Sequence, residues 1–122
     1  MTRLQHANVV IPRGATAEVA AFYEHVLGLR RIDKPAALAG RGGAWFDVDG
    51  FAQVHLSERD GAVHEDSHFA LVVDDFDAVL AALARHGAPW TEQEDVFGGR
   101  RGFTRDPAGN RIELLESAGD LA

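Results

Sequence analysis

The chain of 122 residues contains no cysteine. That absence removes disulfide frameworks, thiolate nucleophiles and sulfur-ligated metal centres, so any metal must be held by nitrogen and oxygen. Basic residues are the next shortage, with 12 Lys and Arg against 19 Asp and Glu and a formal charge of -7. Such a field repels polyanions and attracts cationic ligands and metal ions, which argues against a nucleic-acid partner. No apolar run approaches the roughly 20 residues that span a bilayer, and the opening MTRLQHANVVI lacks the apolar core of a signal peptide. A cytoplasmic protein without membrane association is the expectation. What is present is an ordinary globular balance, 46% hydrophobic and 25% charged, together with six histidines. One domain spanning 1–122 is expected.

Hydrophobic periodicity divides the chain into short elements. LQHANVVI (Leu4 to Ile11) predicts a strand, and Val19, Phe22, Val26 and Leu27 mark a helix over about Thr16 to Leu27, stopped by Gly28. GAWFDV and FAQVHLS flank the turn dipeptide Asp49-Gly50 and predict a hairpin. SHFALVV (Ser67 to Val73) predicts a further strand. Asp74 and Asp75 stand at the N-cap of a second helix whose apolar stripe is Phe76, Val79, Leu80 and Leu83, with Gly87 at its end. GFTRDPAGNRIELLE reads as a second hairpin turning at DPAGN.

The order strand, helix, hairpin thus occurs twice, and a faint internal repeat accompanies it. HANVVI at His6 matches HFALVV at His68, 62 residues on, and QVHLS at Gln53 matches RIELL at Arg111, 58 residues on. Two βαβββ-like modules, about 1–60 and about 64–122, account for the chain, joined by the polar stretch ERDGAVHED.

Superposing the modules pairs His6 with His68 and His55 with Glu113. Strand parity then assigns faces, because alternate side chains point to opposite sides of a sheet. Ala7, Val9 and Ile11 belong under the first helix, which turns His6 and Asn8 away from it. Phe69, Leu71 and Val73 do the same for His68, Val54 and Leu56 for His55, and Ile112 and Leu114 for Glu113. All four polar residues therefore project from faces that no helix covers. A carboxylate in mid-strand is costly to bury unpaired, so Glu113 belongs either on a solvated face or in a site that uses it. Three imidazoles and one carboxylate suit a divalent first-row metal: Zn, Ni, Fe, Mn or Co. Pocket-wall candidates are Asn8, Gln53, Phe103 and Phe46, the last assigned to the face of His55 by counting across the Asp49-Gly50 turn. His25 and His86 fall in the last turns of their helices, where a partial positive charge complements the helix dipole, and His64 reads as a solvated loop residue.

LQHANVVI, FYEHVLGL (Phe22 to Leu29), SHFALVVDD and DPAGNRIELLE together resemble the vicinal oxygen chelate superfamily, which includes glyoxalase I, extradiol dioxygenases, fosfomycin-modifying enzymes and bleomycin-sequestering proteins. The likeness runs over essentially the whole chain. It implies an α+β fold in which tandem βαβββ modules form a cup-shaped mixed sheet around a metal, with ligands at the positions of His6, His55, His68 and Glu113. It also implies a homodimer, in which modules pair within a chain or across a swap. Glyoxalase I has a glutamate at the position of His55, and the acid-base tyrosine of the dioxygenases has no counterpart here, the one tyrosine being Tyr23 on a helix. The resemblance implies a metal-dependent enzyme acting on a small substrate that chelates through vicinal oxygens, with lyase or isomerase chemistry favoured and Glu113 moving the proton. The other implied function is metal-free sequestration of a small cationic ligand.

Overall fold

The structure, a computed structural model, describes residues 3–61 and 63–119. The outermost residues of the two expected modules, at 1–2 and 120–122, lie outside the described residues. The chain divides into two compact units, with the boundary between Val63 and His64.

In the first unit the elements run β1 (His6–Ile11), α1 (Thr16–His25), β2 (Arg30–Ile32), a short 3-10 turn (Ala36–Leu38), β3 (Ala44–Asp47) and β4 (Gln53–Glu58). The second repeats the pattern with β5 (His68–Val72), α2 (Phe76–His86), β6 (Thr91–Gln93), β7 (Arg101–Arg105) and β8 (Arg111–Leu115). Each unit is a four-stranded mixed sheet with one helix, in the orders β1-β4-β3-β2 and β5-β8-β7-β6. The first and last strands of each unit pair in parallel and the others antiparallel. The fold is α+β, as expected, and each unit is a βαβββ module.

Local chemistry explains the element ends. The Asp75 side chain accepts from the Ala78 N–H at 3.0 Å and caps α2. At its other end Gly87 adopts φ 76°, and the Ala88 N–H reaches back to the Leu83 carbonyl at 2.9 Å. The DPAGN turn closes on itself: Asp106 Oδ1 accepts from the N–H groups of Ala108 at 2.9 Å and Asn110 at 3.0 Å. The start of α1 is tied to its sheet by a relay in which the Gly43 N–H donates to Thr16 Oγ1 at 2.8 Å and that hydroxyl donates to Glu58 Oε2 at 2.6 Å.

One face of each sheet carries the core. In the first unit Val9, Ile11, Val54, Leu56 and Phe46 are buried together with Val19, Phe22 and Tyr23 of α1. In the second, Leu71, Ile112 and Leu114 are buried, as are Phe76 and Leu83 of α2. Burying a side chain of this size stabilises by about 1.5–3 kcal/mol, so the helix-facing sets dominate the folding energy of each unit and leave the opposite faces free for chemistry.

Phe46 belongs to the core set and not to a pocket wall. It is fully buried, pairs with Val54 in register, and stacks on Tyr23 of α1 with ring centroids 5.6 Å apart. The reason is the hairpin loop. A two-residue Asp49-Gly50 turn would pair Val48 with Phe51, but the Val48 N–H bonds to the Ala52 carbonyl at 2.9 Å. Asp49 Oδ1 accepts from both the Phe51 and Ala52 N–H groups, at 3.0 and 2.8 Å, which stabilises a loop one residue longer. A register shift of one residue turns every side chain of a strand to the other face.

Candidate functional site

The uncovered face of the first unit presents His6, Asn8, Gln53, His55 and Trp45. Register sets Asn8 beside His55 and Trp45 opposite it. Three rings form a continuous stack. Trp45 lies on His55 with centroids 3.8 Å apart and planes 2° apart, and His6 lies against His55 at 4.1 Å and 16°. His55 is buried at 6% exposure despite its polarity. Burial pushes its imidazole down to about 4, and the neighbouring His6 acts in the same direction. A neutral ring at ordinary pH follows. Its Nε2 donates to Gln53 Oε1 at 2.8 Å, which leaves the lone pair on Nδ1. His6 bonds through Nδ1 to Gln5 Oε1 at 2.6 Å, leaving Nε2 as its open nitrogen.

On the uncovered face of the second unit, His68 and Glu113 meet. His68 donates from Nδ1 to the Asp66 carbonyl at 3.0 Å, and its Nε2 lies 3.4 Å from Glu113 Oε1. Two donors each about 2.0–2.2 Å from one ion at a tetrahedral angle stand about 3.4 Å apart, so the chemistry and spacing of this pair fit a first-row metal. The other carboxylate oxygen is engaged differently. Arg101 Nη1 donates to Glu113 Oε2 at 2.8 Å, with side-chain exposures of only 18% and 11%, while its Nε donates to the Glu94 carbonyl at 2.7 Å. Phe103, opposite Glu113 in register, meets the His68 ring edge-on at 5.2 Å.

Of the residues singled out from sequence, His6, His55, Asn8 and Gln53 thus share one face in the first unit, and His68, Glu113 and Phe103 share one in the second. Among the described residues, no group of three or more His, Asp or Glu side chains comes together as a metal cage. His25 and His86 are exposed at the ends of α1 and α2, and His64 is exposed in the connecting segment. Sequence reasoning missed Trp45 and Arg101. Trp45 was hidden by the shifted hairpin register that misassigned Phe46. Arg101 had a usable signal, since counting back from the DPAGN turn puts it on the face of Phe103 and Glu113.

Residues 3–114 match the family model of the Glyoxalase/Bleomycin resistance protein/Dioxygenase superfamily. The chain therefore belongs to that superfamily. Among solved structures it is similar to a glyoxalase family protein from Bacillus anthracis, at 30% identity over 96% of both chains with a TM-score of 0.85. It is also similar to a lactoylglutathione lyase from Agrobacterium tumefaciens, at 22% identity over 94% of this chain and 93% of that one, TM-score 0.70. A third similar fold is TnmS3, an antibiotic binding protein from a Streptomyces species, at 21% identity over 96% and 97% of the two chains, TM-score 0.73. The latter two likenesses are of fold alone. No curated protein sequence matches the chain. None of the helices in the described residues is long and apolar enough to cross a membrane.

Proposed function

We propose that the protein is a cytoplasmic, metal-dependent enzyme acting on a small molecule that chelates the ion through neighbouring oxygens, with lyase or isomerase chemistry. Residues 1–122 act as one domain within a homodimer. The observation that supports this most directly is the His68–Glu113 pair, whose 3.4 Å donor separation matches two ligands of one tetrahedral ion. His6 and His55 complete the donor set. The ion, one of Zn, Ni, Fe, Mn or Co, supplies Lewis-acid polarisation of a substrate oxygen when bound.

The remaining chemistry belongs to the chain. His55, held neutral by burial, contributes a lone pair without adding charge. Its ring cannot rotate freely between Trp45 and His6, so its donor direction is preset. Glu113 would take and return the substrate proton through Oε1 when that oxygen is not engaged by the ion, while Arg101 anchors the same carboxylate through Oε2. Asn8 and Gln53 offer amide groups to substrate oxygens, and Phe103 supplies an apolar wall beside His68.

Metal content of protein purified without added metal, followed by titration with Ni, Zn, Mn and Fe, tests this reading. Stoichiometric uptake is expected. His68→Ala and Glu113→Gln should each weaken it at least about tenfold, with unchanged circular dichroism because neither side chain faces the helix-packed core. A protein that takes up none of the four ions but binds a small cationic drug would favour metal-free sequestration instead.

A further inference from the structure

Next to Phe103, which meets His68 edge-on, the second unit opens into a cavity of about 260 Å³ whose lining includes Thr91, Gln93, Phe103, Arg105 and Arg111 together with Glu65 and Asp66. The cavity holds two guanidinium groups and two carboxylate residues, yet neither guanidinium is tightly paired with a carboxylate. Arg105 donates only to backbone carbonyls, to Gly109 at 3.0 Å and to Glu65 at 3.3 Å. It has no carboxylate within ion-pair distance among the described residues. The guanidinium carbon of Arg111 lies over the Phe103 ring, 3.7 Å from its centroid. Its one carboxylate, Asp66, stands off at 3.7 Å and is itself 80% exposed. A contact that long and that solvated contributes little and is readily exchanged.

The placement of Arg111 over Phe103 matters for recognition. With its central carbon over the Phe103 ring, the Arg111 guanidinium is held against that ring and its N–H groups are the ones that can bond. A planar fork of donors held in this way matches the two oxygens of a carboxylate or phosphoryl group. Thr91 and Gln93 add uncharged polar groups along the same wall. The volume is slightly below the roughly 300–1,000 Å³ of sites that enclose drug-sized ligands, so it suits a small molecule or one end of a larger one.

We infer that this cavity binds an oxyanion, a carboxylate or a phosphoryl group, through Arg105 and Arg111, with Phe103 as the positioning residue for Arg111. The enzyme's substrate is then a small acid whose anionic end is held here while its reacting end lies toward His68 and Glu113. That extension to the substrate rests on the proposed function, whereas anion binding by the cavity does not.

Isothermal titration of the whole protein as purified, with inorganic phosphate, benzoate and the uncharged benzamide as probes, tests the site. At least one anion is expected to bind and benzamide is not. Phosphate alone marks a phosphoryl site and benzoate alone a carboxylate site. Arg111→Met and Arg105→Met should each weaken the binding by about tenfold to a hundredfold, the scale of a lost charge-assisted hydrogen bond, and Phe103→Leu should weaken it with both arginines present. Zinc uptake by the arginine variants should match that of the unaltered protein. Failure of both anions to bind at millimolar concentration, or binding indifferent to both arginine substitutions, would overturn the inference. Loss of metal uptake in the unaltered protein with anion binding retained would instead count against the proposed enzyme and leave the anion site standing.

Discussion

Replacing Arg101 with Met tests whether the guanidinium holds Glu113 in place. Methionine keeps most of the apolar stem and removes the charge, so the change isolates the 2.8 Å contact to Glu113 Oε2. Exposed ion pairs contribute about 0–1 kcal/mol, whereas removing one partner of a fully buried pair costs about 3–5 kcal/mol. With side chains 18% and 11% exposed, this pair lies toward the buried end, and a loss of about 2–3 kcal/mol is expected. For a chain of 122 residues, each kcal/mol corresponds to about 4 °C in melting temperature, giving a fall of about 8–12 °C. Urea unfolding of Arg101→Met, Glu113→Gln and the double variant should return a coupling energy of about 1–2 kcal/mol. A stability loss below about 0.5 kcal/mol, or a coupling energy near zero, would refute the role assigned to Arg101.

Gly43 sits at φ 100°, and a Cβ there would run into the Leu56 carbonyl oxygen. Gly43→Ala is expected to cost about 2–4 kcal/mol in urea unfolding, against about 1 kcal/mol for Gly50→Ala, where φ is 92° but no atom lies within 4 Å. The Thr16 hydroxyl, and next the Gly14 backbone, hold the Glu58 carboxyl below its ordinary range. A carboxylate depressed in the folded state contributes stability above its unfolded pKa, and that contribution is lost as the pH falls through the folded one. The melting temperature of Glu58→Gln should therefore lie below that of the unaltered protein at neutral pH and converge with it in acid. A gap that persists unchanged at pH values where carboxylates are protonated would show that the charge is not responsible.

Which residues leave the core was legible in the chain itself, because a strand has a side-chain period of two and a helix-covered sheet has only two faces. Val54 and Leu56 around His55, and Ile112 and Leu114 around Glu113, oriented both polar residues without any tertiary information. Asp75 and Gly87 marked the ends of α2 through backbone groups that only a cap can satisfy. Features that depend on how two strands align were not legible. The three-residue edge strands β2 and β6 are too short to show alternation and exist because β3 and β7 offer them partners. The choice between Phe46 and Trp45 as the neighbour of His55 hung on one extra loop residue, stabilised by two hydrogen bonds to the Asp49 carboxylate. The electrostatic setting was decided the same way. Local sequence made Glu113 a polar residue on an open face, but its clamp between His68 and Arg101 arises only where parallel and antiparallel neighbours bring strands β5 and β7 to either side of β8.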